Sequence, residues 1–143
     1  MLDPMINIKW QPTDGGKMDA GMNERRDCTV RALAIVADLP YQEAHSMLKN
    51  SGRRDGHKFG MVNWMSARAT GTALYCVGKF KISRVWGLGS NVGPFLAKEL
   101  PGRYMVIVRG HCFAVINGTA LDTYAPRPRK KIVCVFKFEE ISA

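Results

Sequence analysis

Apolar positions along this chain change their period about half-way. Between residues 28 and 69 they recur at helical spacing, and from residue 72 onward they fall into short runs and alternations that suit strands. The stretch from Cys28 through Val30 and Ala32 to Ala37 is apolar on most sides and predicts a helix buried nearly all round. Asp27 is its predicted N-cap, and Asp38-Leu39-Pro40 ends it. A second helix is predicted from Pro40 to about Asn50, with Tyr41, Ala44, Met47 and Leu48 on one face and Ser51-Gly52 as its stop. After the polar loop Arg53 to Lys58, a third is predicted over roughly Phe59 to Ala69. Residues 1–22 hold Pro4, Pro12 and Asp14-Gly15-Gly16 and read as irregular, apart from a short strand at Ile6 to Trp10.

In the second half, strands are predicted at Thr72 to Val77, Phe80 to Val85, Arg103 to Arg109, His111 to Ile116, Thr119 to Asp122 and Lys131 to Phe138. A helix is predicted over Ser90 to Leu100, with Pro94 in its first turn and Pro101-Gly102 at its end. Asn117-Gly118 between apolar flanks predicts a two-residue type I′ hairpin. The Gly87-Leu88-Gly89 to Gly93 stretch has its third glycine one residue too late for a dinucleotide fingerprint and reads as a loop. Helices followed by a mostly antiparallel sheet give an α+β fold in a single domain, 1–143.

Composition narrows the class. A length of 143 residues suits one core. With 46% hydrophobic and 23% charged residues the chain is not disordered as a whole. No apolar run approaches the ~20 residues that cross a bilayer. Met1 to Trp10 lacks the basic start and continuous apolar stretch of a signal peptide. A cytoplasmic protein with no membrane partner is therefore expected, and no cofactor. Cys28, Cys76, Cys112 and Cys134 are widely spaced without a C-x-x-C pair, which argues against a zinc site or a disulfide framework. Cys76, Cys112 and Cys134 read as strand packing, with Cys112 facing away from His111.

Charge adds a question of partners. There are 21 Lys+Arg against 12 Asp+Glu, a net +9. The excess gathers in two loop clusters, one with Lys49, Arg53, Arg54 and Lys58, the other with Arg127, Arg129, Lys130 and Lys131. Such runs are often only solvated faces. Arg53, Arg54, Arg127, Arg129, Lys130 and Lys131 are nonetheless candidate contacts for nucleic-acid phosphates or an acidic protein. No recognisable nucleic-acid-binding motif accompanies them.

Three residues form a candidate constellation. Cys28 opens a helix, where the N-terminal partial charge favours a thiolate. His111 opens a strand, and Asp122 ends the next one. Counting back from a turn at Asn117-Gly118 sets His111 opposite about residue 124, so Asp122 falls within about two residues of it across the ladder. A thiol nucleophile, an imidazole and an orienting carboxylate are the parts of nucleophilic acyl transfer. The plainer alternatives are a packed cysteine, a core histidine and a turn aspartate. His45 and His57 read as structural or solvated.

The segment Asn23-Glu24-Arg25-Arg26-Asp27-Cys28-Thr29-Val30-Arg31-Ala32-Leu33-Ala34 resembles the nucleophile segment of papain-like cysteine peptidases of the C39-like kind. His111-x-Phe-Ala-Val-Ile with downstream Asp122 is similar to that family's His strand and Asp, and the order Cys, His, Asp matches. The opening Asp-Cys-Thr-Val-Arg-Ala-Leu-Ala also looks like that of small phage-encoded proteins. The family's Gly after the cysteine is Thr29 here, and Met22 stands at its oxyanion Gln. The resemblance implies a papain-like fold with Cys28 as nucleophile, His111 as proton shuttle and Asp122 as orienter; Asn23, the amide nearest the Gln position, is the candidate oxyanion donor, with the Cys28 backbone N–H. It implies a protein or peptide substrate cut at a peptide or isopeptide bond, in a host cytoplasm if the chain is phage-encoded. A non-catalytic basic module on the same fold, such as a viral inhibitor of host defence, is the other reading.

Overall fold

The computed structural model describes residues 8–69 and 76–141. Three helices come early: α1 (Cys28–Val36), α2 (Tyr41–Asn50) and α3 (Met61–Arg68). A short α4 (Val92–Ala97) lies between strands. The strands are β1 (Trp10–Pro12), β2 (Phe80–Val85), β3 (Arg103–Val108), β4 (His111–Ile116), β5 (Thr119–Asp122) and β6 (Ile132–Glu140). They form one six-stranded mixed sheet in the order β1-β5-β4-β3-β6-β2. Every neighbouring pair is antiparallel except β1 with β5. The fold is α+β.

The central strands read as almost unbroken apolar runs because both faces of the sheet are covered. Met105, Ile107, Cys112, Ala114, Cys134 and Phe136 point toward α1, α2 and α3. Tyr104, Val106, Val108, Phe113, Val115 and Val135 point the other way, against Val92, Phe95 and Leu96 of α4. Helix α1 has seven of its nine residues buried, as its all-round apolar sequence requires. It packs on β4 and α2, so its first residue, Cys28, arrives beside the start of β4.

The N-terminal segment departs from the sequence reading. The strand expected at Ile6 to Trp10 sits instead at Trp10–Pro12, and residues 6 and 7 lie outside the described ones. Its parallel register sets Pro12 beside Asp122, and both the Thr13 amide (3.0 Å) and the Trp10 indole N–H (3.2 Å) donate to the Asp122 carbonyl. The turn that follows is also ordered. The Asp14 carboxylate accepts the amides of Gly16 (2.9 Å) and Met18 (3.0 Å), which satisfies a chain reversal that would otherwise need water.

Other boundaries moved as well. Helix α4 is shorter than the expected Ser90 to Leu100 because its start and its end are both fixed from outside. Val92 and Gly93 donate their amides to the carbonyls of Lys130 (2.9 Å) and Pro128 (2.8 Å), and Glu99 turns left-handed at φ +46°. The expected strand at Thr72 to Val77 falls mostly on residues outside the described ones, and Val77 pairs singly with Phe80. Among the described residues, no helix is long and apolar enough to cross a membrane.

The hairpin follows its sequence signal. Ile116 pairs with Thr119, leaving Asn117 (φ +50°) and Gly118 (φ +84°) as the two turn residues. A Cβ on Gly118 would stand 2.9 Å from the Glu99 Cα. Gly118→Ala is expected to cost about 1–3 kcal/mol, from backbone strain plus that collision. A urea midpoint equal to that of the parent chain would contradict this.

Candidate active site

The loop that leads into Cys28 is held by one buried carboxylate. Glu24 accepts the amides of Arg25 (3.0 Å) and Gly56 (2.7 Å) on one oxygen. Its other oxygen meets His45 Nε2 (2.9 Å) and Arg53 Nη1 (3.0 Å). Arg53 also donates to the carbonyls of Arg25 (3.3 Å) and Arg26 (3.5 Å), and Arg26 is held at φ +50°. A left-handed arginine costs free energy, and this network opposes its release. Arg53 was expected on a partner-binding surface, and the structure corrects that. Its side chain is 0% exposed and serves as the counter-ion of Glu24. Arg54, Arg127, Arg129, Lys130 and Lys131 are exposed.

Asp27 was expected to cap α1 with its carboxylate, and it does not. The carboxylate turns inward, accepting from the Tyr41 hydroxyl (2.7 Å) and from Arg31 Nη1 (2.5 Å) one helical turn on. Lys17 stands 3.5 Å away. Arg31 reaches across with its other nitrogen to Asp122, 3.6 Å from Oδ1. One guanidinium therefore ties Asp27, the residue before Cys28, to Asp122.

Asp122 is 4% exposed. Its Oδ1 accepts the Thr123 amide (2.7 Å), and its Oδ2 lies 2.6 Å from His111 Nε2. That contact occupies Nε2 and leaves Nδ1 as the ring nitrogen available to a sulfur. Tyr124 stacks on the imidazole with centroids 5.3 Å apart, and Phe113 lies near the ring at 6.3 Å. Burial disfavours the charged ring, but the bonds to Asp122 and Cys28 outweigh it and raise the His111 pKa to about 9.

Cys28 has two neighbours that stabilise its thiolate. The Cys112 thiol donates to the Cys28 sulfur, burial opposes ionisation, and the His111 ring donates and adds positive charge. The result is a Cys28 pKa held down to about 4. Cys28 opens α1, whose first-turn amides add partial positive charge. Cys112 is driven the other way, because its thiol donates to the Cys28 sulfur and is buried. The shifts of Cys28 and His111 both favour a Cys28 thiolate beside a protonated His111 ring. Cys112 is therefore more than strand packing. It belongs to the face of β4 turned toward α1, where the sulfur of Cys28 lies.

Two cavities meet at His111. One, of about 330 Å³, is floored by Cys28 and Thr29 and walled by apolar groups including Phe59, Met61, Ile107 and Val133. At its edge Lys58 Nζ donates to the Gly110 carbonyl (3.0 Å). The other, of about 220 Å³, lies toward α4. Asn23 is exposed and is not among the residues that line either. His45 is buried and structural, and His57 is exposed near Arg54.

Glu24, His45 and Asp55 each place one ligand atom within 4.8 Å of the others. Arg53 puts a cation against the same Glu24 oxygen that His45 meets, where a metal ion would have to compete with it. The group is a structural ion network.

The structure brings Cys28, His111 and Asp122 together from one helix and two strands. The sequence reading missed Glu24, Arg31, Cys112 and Tyr124. Arg31 had a legible sign, since Asp27 and Arg31 are four apart on a helix. Comparison with protein-family models, with curated proteins and with solved structures finds no match to this chain.

Proposed function

We propose that this chain is a cysteine peptidase or a related acyl-transfer hydrolase of papain-like architecture, acting on a peptide or isopeptide bond. The observation that carries the reading is one buried carboxylate 2.6 Å from one nitrogen of His111, with the depressed Cys28 thiol at the same ring. The Cys28 thiolate attacks the substrate carbonyl carbon, and the carbonyl electron pair moves to oxygen. The Cys28 backbone N–H at the first turn of α1 faces no helical carbonyl and is the oxyanion donor this reading relies on. The C–N bond then breaks, and the His111 imidazolium gives its Nδ1 proton to the departing amine. Water attacks the thioester, His111 takes a proton from it, and the acid leaves with the Cys28 thiolate restored. Asp122 holds the ring's orientation and its charge through both halves.

A peptidyl acyloxymethyl ketone mixture tests this, because it needs both an activated thiolate and a positioned leaving group. Cys28 is expected to label at pH 6 about tenfold or more faster than the same chain unfolded in urea. Labelling no faster than the unfolded thiol would overturn the assignment.

The ring titration gives a separate check. His111 carries its proton below about pH 9 and loses it above. Asp122→Asn removes the negative charge that favours the protonated ring. Its His111 resonances should therefore titrate at least one pH unit lower by NMR, about 1.4 kcal/mol of lost pairing. An unshifted titration would show that Asp122 does not stabilise the imidazolium.

A further inference from the structure

We propose that the cavity on the α4 side of His111 is an anion-selecting subsite that takes a carboxylate of the substrate. This rests on the catalytic reading above and names the substrate class of that same site. The cavity holds about 220 Å³, below the ~300–1,000 Å³ of drug-sized sites and suited to one amino-acid residue. Arg127 and Lys130 line it, together with Tyr124, Phe113, His111 and Asp122. Neither Arg127 nor Lys130 forms an ion pair among the described residues.

Among the described residues, the one acid lining the cavity is already engaged. Asp122 is bonded to His111 and to the Thr123 amide and faces Arg31, so its charge is compensated within the site. With His111 and Asp122 paired to each other, the unpaired charge at this cavity is that of Arg127 and Lys130. A ligand that brings a negative charge is favoured there, and one that brings a positive charge is repelled.

The cations are also held in place from the backbone. Lys130 donates its amide to the Arg127 carbonyl (3.1 Å), closing a turn. The carbonyls of Lys130 and Pro128 accept the amides of Val92 and Gly93, and Ile132 donates to the Ser90 carbonyl (2.8 Å). Pro126 and Pro128 further restrict the loop. A loop fixed at both ends presents its two cations without first having to be ordered, which favours recognition. Tyr124, stacked on His111, forms the wall shared with the reacting group. His111 lines both this cavity and the one floored by Cys28, so a carboxylate seated against Arg127 and Lys130 is joined to the reacting group through that ring.

The test compares 3-maleimidopropionate with its uncharged amide as alkylators of Cys28 in the full chain, read by mass spectrometry of the Cys28 peptide. The acid is expected to react several-fold faster than the amide. Arg127→Ala with Lys130→Ala should lower that acid-to-amide ratio about fivefold or more. Lys79→Ala with Lys81→Ala removes the same net charge at the far edge strand and should leave the ratio unchanged. A ratio that survives loss of Arg127 and Lys130, or falls equally in the control, overturns the subsite. A Cys28 that reacts with the amide no faster than in urea overturns the catalytic reading instead, and the two failures are separable. Protection of Cys28 by acetyl-Ala-Asp-Ala-amide, against acetyl-Ala-Ala-Ala with a free C-terminus, tells a side-chain carboxylate from a terminal one. Protection by neither would also overturn the subsite.

Discussion

Replacing His111 with alanine is expected to slow alkylation of Cys28 by iodoacetamide at pH 5 by about tenfold or more. With its pKa at about 4, Cys28 is mostly thiolate at that pH. At the ordinary thiol value of 9.0, roughly one molecule in ten thousand would be ionised. Intrinsic nucleophilicity runs the other way. With a Brønsted slope of about 0.4–0.5, a fall of five pKa units costs a thiolate roughly 100- to 300-fold in attack. The two effects leave a net loss of about 30- to 100-fold for complete reversion. Cys112 and the α1 N-terminus remain in the variant, so reversion is partial, and a tenfold loss corresponds to a thiol returned roughly three-quarters of the way to its ordinary value. The advantage shrinks as pH rises toward 9, where an ordinary thiol also ionises. The experiment must therefore be run on the acid side. A His111→Gln variant keeps the side-chain volume and should lose reactivity similarly. Rates at pH 5 within about twofold of the parent in both variants would remove His111 from the activation of Cys28.

The second large effect is on stability. Glu24→Ala leaves the fully enclosed Arg53 guanidinium without its counter-ion and strands the Gly56 and Arg25 amides. Breaking a buried pair from one side costs about 3–5 kcal/mol, because the remaining charge cannot reach water. The urea midpoint is the measurement. Replacing both partners, as Glu24→Met with Arg53→Met, should recover most of the loss, since neither desolvated charge remains. A single variant within about 1 kcal/mol of the parent would show that water enters the network. The pH dependence has a definite sign. Burial tends to raise the Glu24 pKa, but the bonds from Arg53, His45 and the two amides lower it to about 2. Folded protein therefore holds the proton less tightly than unfolded chain. The stability this group confers is whole above about pH 4.5 and is lost as pH falls toward 2.

Local signals were legible where local physics decides them. Helix α1, the Asn117-Gly118 hairpin and the apolar β3 are fixed by neighbours in sequence, and they appear where the pattern places them. The hairpin count that set His111 opposite residue 124 agrees with the observed register of Ile116 with Thr119 and Ala114 with Leu121. Features set by distant residues were not legible. The Asp27 carboxylate has Arg31, Tyr41 and Lys17 available to it, and a charged or hydroxyl donor inside the core outcompetes a helix amide. Arg53 looked like surface charge because nothing near it in sequence announces a buried Glu24. Cys112 was set aside by strand alternation, which was right about the face. It overlooked that α1, with Cys28 at its start, packs on that same face.

The connectivity of the sheet bears on when the thiolate comes into being. Glu24, His45, Arg53 and Gly56 lie in the early part of the chain, so the loop before Cys28 can be ordered while later residues are still being made. The groups that ionise the sulfur come much later, as His111, Cys112 and Asp122. The strand that completes the middle of the sheet, β6, is later still and inserts between β3 and β2. An emerging chain therefore carries an ordinary thiol at Cys28. The shift at Cys28 needs His111 and Cys112 in place against α1, which the ordering of the loop before it does not supply.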